Sequence, residues 1–244
     1  MKNPAIYETK VLIERYIEIF FADFTSLFFL ILQPIATGLC VGMVWQNTTG
    51  SPTLYFVLLF SSIFFGCINS CREIVKEKNI FERERISGLR ISSYILSKFF
   101  VLSILGFAQI LIFFITIRLN LTLDGNTFLT LLSLYLSLVC GTSLGLAISA
   151  SVTTDVMALS LVPVFLIPQL LFSKLIMPNK SLTGMTEIVE KTTIVKWGYD
   201  FLEQATTKEI DWNIVITSFF ILIFMITFLN ILSAFILKIK EIKF

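Results

Sequence analysis

Between residues 72 and 98 the chain gathers eleven side chains suited to ionic chemistry: Arg72, Glu73, Lys76, Glu77, Lys78, Glu82, Arg83, Glu84, Arg85, Arg90 and Lys98. Their signs alternate, so an acidic lipid surface is not the only partner they suit; they can pair with one another or with a mixed-charge protein surface. Ile80, Phe81 and Ile86 sit among them, and Gly88 follows where a short helix around 80–86 would end. A solvated loop at the inner face of a membrane needs cations only. The added carboxylates and the helix stop point to a docking surface for another protein.

Little else in the chain could do chemistry. There is no His, which removes the commonest general base and the commonest metal ligand together. Cys40, Cys67, Cys71 and Cys140 fall within or at the end of apolar runs and read as small apolar residues rather than a disulfide framework. No Gly-Lys pair occurs anywhere, so the phosphate-binding loop that ATP hydrolysis requires is missing. Apart from Asp155 near an interface, the apolar segments carry no convergent titratable groups, which argues against a membrane enzyme or a proton-coupled transporter. No catalytic residue, metal site or cofactor is expected in this chain.

The elements that must position the charged stretch are membrane helices. Of the 244 residues, 56% are hydrophobic and 15% charged, with 25 Phe and a mean hydropathy of +0.86. A water-soluble domain of this size could not cover itself with so few charges. A net charge of +2 leaves nucleic-acid binding without an electrostatic basis. Lipid offers the backbone no hydrogen-bond partner, so each crossing needs about 20 apolar residues in a helix. Six segments qualify: about 24–45, 53–78, 94–117, 128–150, 156–176 and 213–237. The second is expected to continue past the interface to about Lys78, and Lys98 and Arg118 to snorkel toward the two interfaces from the ends of the third. The predicted fold is all-α, one integral membrane domain over 1–244.

Pro163 and Pro168 in the fifth segment predict a kinked or discontinuous helix, which either lines a pathway or is an ordinary kink in a packed helix. Cations crowd the second connection and the C-terminal tail (Lys238, Lys240, Lys243) but not the first or third connections. Both termini and the second connection are therefore expected in the cytoplasm, and the long fifth connection, about 174–212, outside. Glu8, Glu14, Glu18 and Asp23 near the start are unlike a signal peptide. Residues 5–20 fit an amphipathic helix lying on the membrane surface, with Ile6, Leu12, Ile13, Tyr16, Ile17, Ile19 and Phe20 on one arc. Glu8, Lys10, Glu14, Arg15 and Glu18 fill the other. It is either an elbow that also touches a partner or a plain anchor.

Glu77, Phe81, Glu84, Gly88, Ser92-Ser93-Tyr94 and Lys98 resemble the signature that leads into the third helix of type-2 ABC export permeases, of the G-subfamily or white-like class. Phe172-Ser173-Lys174-Leu175-Ile176 is similar to that family's ending of helix five, although Lys174 stands where a small residue is usual. Trp197-Gly198-Tyr199 resembles the aromatic return before helix six, and Pro163 with Ile167-Pro168-Gln169 looks closest to bacterial members. The resemblance spans essentially the whole chain. The chain lacks the ATPase domain and paired outer-loop cysteines of eukaryotic members, and the missing cysteines favour a bacterial origin, hence a bacterial inner membrane.

The resemblance implies half of an ATP-driven exporter. Two such halves would pair as a homo- or heterodimer, each docking an ABC ATPase subunit or domain that carries the ATP and Mg. Residues 79–90 would be the coupling helix, with Glu77, Phe81, Glu84, Arg85 and Gly88 as its key positions and Glu77 and Glu84 braced by nearby Arg or Lys. By the same likeness Ser61, Ser62, Phe65, Leu166 and Leu170 would line a substrate cavity, and Leu175 and Ile176 would form the outer gate; ordinary helix packing is the other reading of each. So apolar a lining favours a lipid-like or amphipathic substrate. A membrane scaffold or channel subunit without transport coupling is the rival function.

Overall fold

The computed structural model describes residues 4–46, 50–123, 125–173, 184–207 and 209–241. Among the described residues the fold is helical, without strands. In chain order the helices are α1 (Pro4–Ala22), α2 (Phe24–Val44), α3 (Pro52–Ser70), a 3-10 turn at Val75–Glu77, α4 (Lys78–Ile86), α5 (Ile91–Arg118), α6 (Thr127–Ser151), α7 (Asp155–Leu171), α8 (Met185–Thr192), α9 (Ile194–Thr206) and α10 (Trp212–Glu241).

Local chemistry sets these bounds. Asp23 caps α2 by accepting from the Ser26 amide at 3.3 Å, and Asn126 caps α6 by accepting from Phe128 and Leu129. Thr154 and Thr193 cap α7 and α9 in the same way. Pro52 opens α3 at a position where its missing N–H costs nothing. Five helical stretches are long and apolar enough to cross a membrane: α2, the stretch beginning with α3, α5, α6 and α10. The fifth predicted span is shorter. Its helix, α7, has 17 residues, about 25 Å at the α-helical rise, less than the roughly 30 Å of a hydrocarbon core. Of the kinked or discontinuous helix expected at Pro163 and Pro168, the discontinuous form is not found: one helix runs through both prolines.

The spans wrap around α6, whose apolar window is 83% buried, against 28% in α2 and 22% in α10. Phe24, Phe28 and Phe29 on α2, and Phe220, Phe224, Phe228 and Phe235 on α10, stay exposed, a surface that lipid but not water tolerates. Helices α3 and α6 touch backbone to backbone. A Cβ on Gly66 would lie 2.1 Å from the Leu138 carbonyl oxygen, and one on Gly141 would lie 2.2 Å from that of Ile63. Gly145 meets the Ser70 hydroxyl equally closely, so the Gly141–Gly145 spacing builds the tight seam small residues give in membranes. Polar side chains join the spans as well: Asn69 donates to Gln109 at 2.7 Å, and Asn230 donates to Ser143 at 2.9 Å.

Two expectations about the elements need correction. The second span does not continue as one helix to Lys78; α3 stops at Ser70, and a turn and the 3-10 segment precede α4. The break is stable because the Ser149 hydroxyl of α6 accepts from both the Ile74 and Val75 amides, at 3.0 and 3.1 Å. The fifth connection is not simply a loop. It contains α8 and α9, and α9 buries Ile194, Val195, Phe201, Leu202 and Ala205 against the span bundle.

Candidate functional site

The ends of α3, α5, α6 and α10 that lie nearest the charged stretch fall on one side of the bundle, together with α1. There α1, α4 and the start of α5 share a small core of Leu12, Tyr16, Ile74, Phe81, Tyr94 and Ile95. The Phe81 ring lies 4.6 Å from that of Tyr94, centroid to centroid. Thus Phe81, in a strongly charged nine-residue helix, is the residue that pins α4 to the spans.

Around this core runs a buried ionic network. Lys98 is only 2% exposed. Its ammonium lies 2.7 Å from Glu77 and 3.9 Å from Glu73, and 3.9 Å above the centre of the Tyr16 ring. Tyr16 donates its hydroxyl to Glu73, and Tyr94 reaches Glu77 at 3.5 Å. Burial first, then the Glu73 carboxylate, pushes the Tyr16 phenol well above its ordinary range. It therefore stays a neutral hydrogen-bond donor at physiological pH. One cation facing two carboxylates in a site this dry is costly to expose or disrupt, so the network fixes one arrangement of three elements.

A second layer ties α1 and the turn after it to the charged stretch. Arg15 pairs with Glu84, Arg90 lies 4.0 Å from Glu8, and Lys76 lies 3.5 Å from Asp23 in the α1–α2 turn. The Asp23 carboxyl is held below its usual range, chiefly by hydrogen bonds from Ser26 and then by Lys76. Helix α4 closes in a Schellman arrangement: Gly88 donates to the Arg85 carbonyl at 3.0 Å and Leu89 to that of Glu84 at 3.2 Å. Gly88 has φ +98° with open space where a Cβ would stand, so the backbone angle, not crowding, calls for glycine. Arg83 and Arg85 in the last turn complement the negative end of the helix, and Arg85 also donates to the Leu89 carbonyl.

The sequence-predicted residues divide three ways. Glu77, Phe81, Glu84, Arg85 and Gly88 come together in the charged end just described, Glu77 and Glu84 being held by Lys98 and Arg15. Lys98 does not snorkel to an interface; it is buried, because its counter-ions sit on the preceding segment rather than in water. Arg15 leaves the solvent arc predicted for it, while Ile6 and Ile19 of the predicted apolar arc are exposed. Of the cavity positions, Ser62, Phe65 and Leu166 are buried inside this chain's own core. Ser62 donates to the Leu58 carbonyl, and Phe65 meets Phe113 edge-on. Ser61 and Leu170 are half-buried. Leu175 and Ile176 lie outside the described residues, as does Lys174.

Sequence reasoning missed Glu73, Tyr16 and Arg15 as members of the network. A signal existed for Tyr16: it lies four residues after Leu12 on a helix whose buried stripe is narrow.

A model of the ABC-2 type transporter family matches residues 7–206, from α1 to the end of α9. No curated protein matches the chain. The matched region holds the buried charged end, the polar-stitched spans and the α9 cover in one helical membrane body, and the chain belongs to the ABC-2 type transporter family, a multi-pass membrane protein that serves as the permease component of an ABC transporter.

Proposed function

We propose that the chain is the membrane half of an ATP-driven exporter and that α4 is where a separate or detached ATPase pushes on it. The observation that carries this is the two-sided character of α4. One side is fixed to α5 through Phe81 and to α1 through Glu84, while Glu77, just before α4, pairs with Lys98 of α5. The other presents Asn79, Ile80, Glu82, Arg83 and Ile86 to the outside, with Ile86 89% exposed. An isoleucine so exposed on a helix this polar suits a protein groove better than water. A load applied there is carried into α5 through Lys98 and into α1 through Arg15, so three helices shift as one unit. This end faces the cytoplasm, with both termini, because Lys and Arg concentrate on it.

ABC-2 permease domains generally partner with an ATPase subunit. Two halves side by side, alternating between inward- and outward-open states, would place the apolar outer faces of α3 and α7 near the pathway. Phe64, Val164, Phe165 and Ile167 on those faces favour a lipid-like or amphipathic substrate. The white-like subfamily and a bacterial inner membrane complete the reading.

The test is a reconstituted permease with its ATPase. Ile86→Glu should abolish co-purification of the two while the permease elutes normally from size exclusion. Glu84→Ala should keep the complex but lose substrate-stimulated hydrolysis. Full stimulation by both variants would show that α4 is not the coupling element.

A further inference from the structure

Beside α4, lined in part by Glu82 and Ile86 of its exposed face, a cleft of about 420 Å³ opens between the 3-10 turn, α4, the end of α6 and the end of α10. Its volume falls in the range of small-ligand sites. Its floor is apolar, formed by Ile74, Phe81, Ala150, Val152 and Leu237, and three cations stand around it, Lys78, Arg85 and Lys240, against the single carboxylate of Glu82. Lys78 pairs with Glu82 at 3.6 Å, and Lys240 donates to the Val152 carbonyl at 2.8 Å. Lys78 and Lys240 both line this cleft. Like charges drawn together over an apolar floor are stabilised by a shared anion.

The position of the cleft says what kind of anion. Helices α6 and α10 are membrane spans that end here, at Ser151 and Glu241. The cleft therefore opens at the level where lipid headgroups meet hydrocarbon. A free phosphate would meet the cations but leave the floor unfilled; a lipid satisfies both.

We propose that this cleft is a binding site for an anionic phospholipid, whose phosphate lies between Lys78 and Lys240 and whose glycerol and first methylenes cover Ala150 and Leu237. The site requires only that this end lie at a membrane interface. It does not depend on ATP coupling, and its test reads lipid rather than transport.

The experiment is native mass spectrometry of the full chain released from nanodiscs of phosphatidylcholine containing phosphatidylglycerol. Wild type should retain phosphatidylglycerol selectively. Lys78→Gln and Lys240→Gln should each lower its retention about fivefold, the scale for one lysine at an anionic surface. Lys238→Gln, on the exposed side of α10, should leave it unchanged. An equal loss in Lys238→Gln would reveal a diffuse surface potential and overturn the site. Displacement of the lipid by millimolar inorganic phosphate or glycerol phosphate would also overturn it, in favour of a soluble anion. Should the cleft variants not fold, wild-type chain cross-linked to a photoactivatable phosphatidylglycerol decides the matter. Cross-links at 149–152 and 237–240 support the site, and cross-links confined to other segments refute it.

Discussion

At the scale of single residues, the decisive group is Lys98. A lysine at the start of an apolar run is usually placed at an interface, its stem in lipid and its charge in water. Here the charge is kept dry, because Glu73 and Glu77 approach it from the turn after α3 and Tyr16 lies beneath it. Removing one partner of such a pair leaves the other buried and uncompensated. Lys98→Met should therefore destabilise the protein by about 3–5 kcal/mol, and Lys98→Met combined with Glu77→Gln should recover part of that loss. Thermal unfolding of the two variants in detergent measures both. A double variant no better than the single one would mean that Glu77 is not the principal counter-ion. Ser149 is the quieter case. Its hydroxyl takes two backbone amides at the break after α3, so Ser149→Ala should cost about 1–3 kcal/mol by leaving buried donors unpaired, whereas Ser151→Ala, whose hydroxyl bonds the Ile148 carbonyl of its own helix, should cost little.

At the scale of elements, composition and apolar length made the spans readable, because lipid forces one solution on the backbone. Gly88 was readable too, since the end of a short charged helix has a chemical signature that needs no tertiary partner. What escaped was set by neighbours remote in sequence. The stop at Ser70 depends on Ser149, which nothing in residues 53–78 reveals. The burial of Ser62 and Phe65 depends on how closely α3 approaches α6, and that follows from glycines on both helices. The pattern Gly141-Thr142-Ser143-Leu144-Gly145 was in plain sight as a small-residue seam. So was α9, whose Ile194, Gly198, Phe201 and Ala205 recur at helical spacing within what reads as a long loop. These two kinds of glycine make a clear contrast. Gly66→Ala and Gly141→Ala each push a Cβ into a backbone carbonyl that cannot move alone, and should prevent folding to a monodisperse species. Gly88→Ala meets no atom and should cost only about 1–2 kcal/mol for a left-handed backbone. Size-exclusion profiles and unfolding midpoints of the three variants would separate seam from cap; a monodisperse Gly141→Ala would show that α3 and α6 can part.

At the scale of the whole molecule, the polarity of the bundle decides what the charged end can do. α4, the buried network and the lipid cleft share one end with α1 and the end of α10, while α9 and the start of α6 occupy the opposite end, where Ser133 donates to the Gly198 carbonyl and Asn126 to that of Ala205. A partner that burns ATP can reach only one of these ends in a cell. The topology proposed above from positive-inside asymmetry puts that end in the cytoplasm, and a pair of engineered thiols tests it. Of the four native cysteines, Cys40 is exposed and the other three are buried, so a Cys40→Ala background leaves little reactive thiol. In that background Ser87→Cys, at the exposed end of α4, should resist a membrane-impermeant maleimide in intact cells and react after permeabilisation. Glu209→Cys, in the turn before α10, should react at once. The reverse pattern would put α4 on the outer surface, out of reach of any intracellular ATPase, and with that the coupling role of α4 would fall although the packing described above would stand.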